Sequence, residues 1–552
     1  MKPGDAHPAQ PFSSSLADPR RRRRIGLGVA LAIAALYLAQ WAPLWIVGED
    51  SALYHLLGRS LASGQGYTIY GLPHVHVPPG FPALLAGAEL AGLSSGTINA
   101  LMLAMALATV YLAWRLLREH ESWEWALPVL VLFACSDTTH DMSIQVLSDI
   151  PCAALVLLGL WIFARWSAGR PAPLELGVLA LTAAVWMRLA VAPLVFGAGL
   201  GLLLQRRKPS WRRAVLACGL LAVLVGVSLL GFYLHYRANR EPGLPSYASY
   251  FTHLAQRGPG AWLAELSANL ASACEALGNL LTGQNIRPNV VAAVLLLPLV
   301  GAGMWRRLRQ NQVVGVLACL AFVGGLVMLR NFKARYLLPV SPLLLLYVVD
   351  GLKWALEGLE CLFRRKTAEE HKELPSCAGG YKTRHRAIIL AMILGMIVAN
   401  LVLDVRRIYQ LRQSDPLASY RSGALRPLLQ VAGWMAGHTG RQDRFFADEN
   451  VSAISYLSDR PPRPLDEAIL KNPPPPQQIL PLLLKQAKWI VHSGRDRPQW
   501  NGVISYALAQ GMIEEVWSNG VFTVYRVKPL PELQPASREA TISWTPRPCS
   551  NA

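Results

Sequence analysis

The sequence predicts an α-helical polytopic membrane protein with about eleven transmembrane helices and a small C-terminal α/β soluble domain. Three observations carry that expectation. Hydrophobic residues make up 53% of the 552 and charged residues only 16%, a balance too apolar for a chain with one or two water-soluble cores. Apolar runs near the length of a bilayer crossing recur from residue 25 to about 405, and Lys and Arg gather between alternate runs. Beyond residue 407 the long runs stop and short strand and helix patterns replace them.

Residues 1–24 read as a disordered basic cytoplasmic tail, rich in Pro, Ser and Ala up to residue 19 and ending in Arg20 to Arg24. The first span is read as 25–47. It is longer than the apolar part of an ordinary signal peptide and no A-x-A-like cleavage pattern follows, so it is an anchor. Further runs cover about 97–117, 123–136, 147–165, 174–187, 189–205, 214–235, 288–305, 312–329, 336–352 and 387–405. As a single helix, 174–205 would be about 48 Å long against a core of about 30 Å. Two short spans meeting at Arg188 fit that thickness, and they keep Arg165 and Arg170 on the side of Arg206, Arg207 and Lys208.

Arg20 to Arg24, just before the first span, put the N-terminus on the cytoplasmic side of a cytoplasmic (inner) membrane, and the odd number of spans then puts the chain's far end outside. The transmembrane domain is then 25–406, with outer loops 48–96 and 237–287, and the soluble domain 407–552 lies outside. In that domain "RFFADEN" and "AKWIVHSG" read as buried strands, "VSAISYLS" as a short helix and "MIEEVWSNGVFTVYRV" as a hairpin turning at Asn519 and Gly520. "KNPPPPQQ" reads as an internal linker, and the end from about Pro529 as a flexible tail.

The net charge of +19 does not point to nucleic acid, because the cations fall in short clusters between apolar runs rather than along one polar face. The clusters read as topology signals, and membrane lipids are expected partners of so apolar a chain. Eight cysteines are scattered without a C-x-x-C pair and read as reduced packing residues. One short outer loop breaks the charge rule: "RNFKARYLLPVSP" puts Arg330, Lys333 and Arg335 where cations should be sparse. The alternatives there are headgroup anchoring and a phosphate site.

Asp50, after the first apolar run, sits where a carboxylate is ionised yet partly desolvated, which suits either a general base or a helix cap. Asp149, between Ser148 and Pro151, either begins a helix or contacts a substrate. Arg188 either binds phosphate or pairs with Asp141 or Asp149. His74 and His76 are two apart in an extended loop, with His55, His140 and Glu89 near in sequence. No full ligand set has a recognised spacing, so no cofactor is assigned and a divalent metal stays open. Tyr67, Tyr70, Tyr247, Tyr250 and the many Trp read as interface-belt residues.

The run from Asp50 through Tyr54, Leu57, Leu61 and "GQGY" to "VPPGFPALLAG" resembles the first outer loop of integral-membrane glycosyltransferases of the C-type (GT-C) fold. The likeness is to the bacterial group related to protein O-mannosyltransferases and the lipid A aminoarabinose transferase. "VLSDIPCAALVLLGLW", "VWMRLAVAPLVFG" and "ARYLLPVSPLLLL" are similar to further pieces of that pattern, in the same order. Two departures stand out: Glu49 precedes Asp50 where many relatives have Asp then Glu, and Val77 replaces an aromatic before the PPG.

The resemblance implies transfer of a hexose or pentose from a polyprenyl-phosphate donor to a lipid, glycan or protein acceptor on the outer face. It also implies roles: Asp50 as general base, Arg188, Arg330, Lys333 and Arg335 at the lipid phosphate, and Asp149 and Tyr54 at the sugar or acceptor, while His74 and His76 read from the residues alone as ordinary loop histidines or substrate contacts. Two other readings stand beside it. A polytopic transporter would place its polar groups near the midplane, whereas here they gather at span ends. A pseudoenzyme would recruit partners through its C-terminal domain.

Overall fold

The computed structural model describes residues 18–41, 48–205, 210–239, 259–282, 289–327, 334–370, 378–413, 425–462, 473–494 and 497–528. It divides into two compact units, Met1–Leu425 and Arg426–Ala552.

The first unit opens with α1 (Pro19–Leu38), capped by Asp18, whose carboxylate accepts from the Arg20 N–H at 2.8 Å. The helix stops well short of the expected end of the first span at residue 47. Residues 42–47 lie outside the described residues.

The expected loop 48–96 is largely ordered as α2 (Glu49–Ala62), a hairpin of β1 (Thr68–Ile69) and β2 (Leu72–Pro73), and α3 (Gly80–Leu90). Tyr70 and Gly71 both take positive φ, 49° and 81°, which matches the right-handed twist of a two-residue hairpin turn.

There follow α4 (Ser95–His120), α5 (Trp123–Ala134), the short α6 (Asp137–Ser143), α7 (Asp149–Ser167) and α8 (Leu174–Met187). At Arg188 the helix breaks, as the length argument requires. A 3₁₀ turn (Leu189–Val191) leads into α9 (Ala192–Leu204). Then come α10 (Trp211–Asn239), α11 (Pro259–Thr282), α12 (Asn289–Arg309) and α13 (Val313–Val327). A 3₁₀ turn at Ala334–Leu337 precedes α14 (Ser341–Glu370) and α15 (Ala378–Gln413). Because α15 continues through residue 407, the second unit begins later than the composition suggested.

Among the described residues four helices are long and apolar enough to cross a membrane: α4, α7, α10 and the 386–406 stretch of α15. Five shorter apolar helices accompany them, including α5, α8 and α13. In lipid, where apolar contact alone does not drive helices together, small residues let backbones approach. α12 and α14 use this device: a Cβ on Gly303 would run into the carbonyl of Tyr347, and one on Gly351 into that of Leu299. Cys135, Cys152, Cys274 and Cys319 are buried free thiols; Cys377 and Cys549 lie outside the described residues.

Near the ends of α4 and α12, Arg307 binds four groups. Its Nε donates to Asp350, its Nη1 to the His120 carbonyl at 2.5 Å and to Gln312 at 2.9 Å, and its Nη2 to Glu121 at 2.9 Å. Lys353 closes the network on Glu121 at 3.0 Å and Asp350 at 3.3 Å. Lys353 and Arg307 hold the Glu121 carboxyl below its usual range against the opposing effect of its burial.

The second unit contains α16 (Leu425–His438), β3 (Phe445–Ala447), α17 (Val451–Ser458), α18 (Pro476–Gln486), β4 (Trp489–His492), α19 (Asn501–Ala509), β5 (Ile513–Ser518) and β6 (Thr523–Val527). The sheet order is β3-β4-β6-β5, with β3 and β4 parallel and the other pairs antiparallel. Phe446, Ile490, Leu480, Leu483, Trp500 and Ile504 form its core. Pro476 opens α18, so the last three residues of "KNPPPPQQ" are helix rather than linker: proline's missing N–H costs nothing at a helix's first position. At the β5–β6 turn the Asn519 side chain accepts from the N–H groups of Val521 and Phe522, at 3.1 and 2.8 Å, with Gly520 at φ 82°.

Candidate active site

Asp50 does not end the first span; it belongs to the first turn of a separate helix, α2. There the positive end of the helix dipole favours the ionised carboxylate. Its Oδ2 accepts from Arg335 Nη2 at 2.6 Å, joining residues 285 positions apart. One helical turn on, Tyr54 is buried, and its hydroxyl shares a 3.0 Å hydrogen bond with Ser148 Oγ. Burial pushes the Tyr54 phenol up to about 12, with Arg188 and the Ser148 bond working the other way, so it stays a neutral hydrogen-bonding group. Through Asp50 and Tyr54, α2 therefore reaches both the Arg335 turn and the start of α7.

Asp149, the first residue of α7, accepts from Arg188 Nη1. Arg188 has extended backbone, φ −155° and ψ 114°, in the break between α8 and α9. The PPG motif has a packing reason here. A Cβ on Gly80 would sit 2.6 Å from the Trp186 carbonyl oxygen, so only glycine lets the start of α3 approach the end of α8 beside Arg188. Tyr336 lies next to both cations, its ring centroid 4.7 Å from the Arg188 guanidinium and 5.6 Å from that of Arg335. Burial alone would favour discharge of Arg335, but Asp149 and Asp50 outweigh it and raise its pKa, so the guanidinium is permanently charged.

These groups surround one recess of about 240 Å³, counting the open space at its mouth. Asp149, Arg188, Arg335 and Tyr336 line its polar side, and Val191, Phe322, Leu326 and Pro339 its apolar side. Its charged side suits a small anionic group and its apolar side an apolar attachment to that group. Among the described residues the buried Nε of Arg335 has no hydrogen-bond acceptor. A buried donor in that state points to an acceptor brought by something else.

The remaining sequence candidates are placed differently. His74 is buried and folds its own loop: its Nε2 accepts from the Val77 N–H at 3.2 Å, and its carbonyl accepts from His235 Nε2 at 2.9 Å. Burial, helped by His76 and His235, drops its pKa to about 3, which keeps the Nε2 lone pair available. His76 is exposed beside it. Arg330 and Lys333 lie outside the described residues. No group of three or more His, Cys, Asp or Glu is arranged to hold a metal among the described residues. In the expected outer loop 237–287, α11 packs against the 3₁₀ turn that carries Arg335 and against α13, where Asn269 Nδ2 donates to the Val327 carbonyl at 2.9 Å.

Two site residues had no assigned role in the sequence. Ser148 precedes Asp149 and Tyr336 follows Arg335, so adjacency to the charged candidates was the available signal.

No family model matches the sequence, and no curated protein matches it. The fold does have solved counterparts. ArnT from Cupriavidus metallidurans bound to undecaprenyl phosphate superposes with a TM-score of 0.54 at 15% identity, over 92% of this chain and 98% of that one. The oligosaccharyltransferase AglB from Archaeoglobus fulgidus, in complex with an inhibitory peptide and a dolichol-phosphate, superposes with a TM-score of 0.50 at 14% identity, over 92% of this chain and 75% of that one. The chain thus has the GT-C fold of these membrane glycosyltransferases.

Proposed function

We propose that the chain transfers a hexose or pentose from a polyprenyl-phosphate donor to a lipid, glycan or protein acceptor on the outer face of the cytoplasmic membrane. The observation that carries this reading is the convergence of Arg188 and Arg335 on one half-apolar recess, with Asp50 bonded to Arg335 at its edge. Guanidiniums suit the oxygens of a phosphate, and the apolar side suits the first units of a prenyl chain. The fold shared with a protein bound to undecaprenyl phosphate and one bound to a dolichol-phosphate supports the same choice by analogy of fold.

In the reaction the acceptor oxygen attacks the anomeric carbon while the bond from that carbon to the phosphate oxygen breaks, through an oxocarbenium-like transition state. The bonding electrons leave with the polyprenyl phosphate, whose growing charge Arg188 and Arg335 stabilise. The acceptor proton passes to Asp50. One displacement inverts the anomeric centre. Asp149 holds Arg188 in place, and Tyr54 ties the base-bearing helix to the start of α7.

The full chain, purified in detergent, is tested with undecaprenyl phosphate, undecaprenol and inorganic phosphate. Undecaprenyl phosphate should bind more tightly than either, and Arg335→Ala should remove its advantage over undecaprenol. No preference in the native chain, or an equal loss for both lipids, overturns the phosphate site; a tighter hold on free phosphate overturns the lipid donor. Orientation is tested with a reporter fused after Arg441, which should be active only where it functions outside the cytoplasm. A cytoplasmic signal would mean that a short span such as 123–136 does not cross.

A further inference from the structure

The roles proposed for Asp50 and Arg335 conflict while the two are bonded. A carboxylate held at 2.6 Å by a guanidinium is a poor proton acceptor, and a guanidinium engaged with a carboxylate is a poorer phosphate ligand. The recess contains a second acid–base pair, Asp149 with Arg188, and the two pairs differ in burial. The Asp149 side chain is 3% exposed, whereas that of Asp50 is 49% exposed. An ion pair half in water contributes little because solvent screens it and hydrates the released carboxylate. Breaking a buried pair strands a charge and is far harder. An anion entering the recess will therefore take Arg335 from Asp50 before it takes Arg188 from Asp149. The Nε of Arg335 is already buried without an acceptor among the described residues, so a phosphate can gain a second bond that Asp50 does not make.

We propose that Asp50 is a built-in stand-in for the donor phosphate: it pairs with Arg335 in the empty site, and exchange of Arg335 onto the incoming phosphate lifts that guanidinium from Asp50, which raises its basicity. The inference rests on the reading of this recess as a polyprenyl-phosphate site. It makes the order of events a property of the ion pair. The donor binds first, and the base reaches its full basicity only once the leaving group is clamped. An acceptor that arrives alone meets a carboxylate occupied by Arg335.

The test is a double-mutant cycle on lipid affinity in the full chain, with undecaprenyl phosphate as probe and undecaprenol as control for the tail and the fold. If Asp50 competes with phosphate, Asp50→Asn should tighten undecaprenyl phosphate binding about 2- to 5-fold, the scale of a half-exposed pair, and leave undecaprenol unchanged. In an Arg335→Gln background the same Asp50→Asn change should have no effect, since the contested group is gone; Arg335→Met serves where the glutamine variant loses undecaprenol binding.

Unchanged or weaker phosphate-lipid binding in Asp50→Asn overturns the exchange. So does a gain that persists without Arg335, which would reflect general relief of negative charge. If Arg335→Gln alone leaves the preference for undecaprenyl phosphate intact, the phosphate site itself is misassigned. That result falls on the underlying reading, whereas the first two fall on the exchange alone.

Discussion

Arg307 and Arg335 each face acidic groups from distant parts of the chain, but their surroundings differ. Each of the three nitrogens of Arg307 has an acceptor, and its partners Asp350 and Glu121 are also held by Lys353. Arg335 meets a half-exposed carboxylate through Nη2, while its buried Nε has no acceptor among the described residues. A satisfied network rigidifies, because any change leaves a buried charge without its partner. An incompletely satisfied one has capacity left for a ligand. Charge alone would not separate these two arginines; the completeness of their hydrogen bonding does.

The sharpest way to break this contrast is at the base. Asp50→Asn should lower sugar transfer by about 10²- to 10⁴-fold, the usual contribution of general-base assistance, while undecaprenyl phosphate still binds. Glu49→Gln, one residue away, should stay near the native rate. An active Asp50→Asn beside an inactive Glu49→Gln would move the base by one position.

The next effect belongs to the closed network. Arg307→Met should destabilise the first unit by about 3–5 kcal/mol, since it leaves Asp350 and Glu121 without their central cation. Thermal unfolding reads the loss, and the folded fraction should keep its preference for phosphate lipid. Arg335→Met should do the reverse, with little change in unfolding and loss of that preference. Equal unfolding shifts for both would erase the distinction.

A smaller change sharpens the role of α2. Tyr54→Phe removes the bond to Ser148 and should cost about 1 kcal/mol in stability, with transfer reduced less than tenfold. A fall beyond a hundredfold would place the Tyr54 hydroxyl on the substrate rather than between helices.

The smallest expected effect lies in the second unit, where the charge depends on pH. His492 Nδ1 is 2.5 Å from Asp448 and its Nε2 is 2.8 Å from the Asn501 side-chain oxygen. Burial works against its charge, but the Asp448 bond and charge, with Asn501, outweigh it and raise its pKa above 6.5. A folded-state pKa above the unfolded one gives stabilisation that is complete below about pH 6.5 and fades as pH rises through the folded value. Amide-exchange protection of the β3 and β4 peptides in the full chain should therefore fall with rising pH after correction for intrinsic rates. In His492→Gln it should be flat.

Much of the fold was legible because its signals are local. The break at Arg188 follows from comparing one apolar run with a bilayer, and the helix at Val451–Ser458 from a short periodic pattern. The helices inside the expected loop 48–96 were less legible, since amphipathic and apolar segments of 11 to 14 residues are too short to announce spans. At the site, Asp50, Asp149, Arg188 and Arg335 were individually visible as charges at the edges of apolar runs. His74, equally visible as a polar residue in a loop, turned out to fold that loop, because its neighbours in space, Val77 and His235, decide its hydrogen bonds.

The sequence by itself determined that this chain is apolar enough for a membrane, that one apolar run must break at Arg188, and which few ionisable groups stand at the edges of its apolar runs. These follow from composition and periodicity, which act within a turn or two of helix. Only the tertiary structure decided who meets whom: Asp50 with Arg335 across 285 residues, Asp149 with Arg188, and both cations beside Tyr336. The physical reason is that pairing and burial of charge depend on distances between helices. Those distances are set by features such as the glycine contact of α3 with the end of α8, which a linear pattern of residue types does not encode.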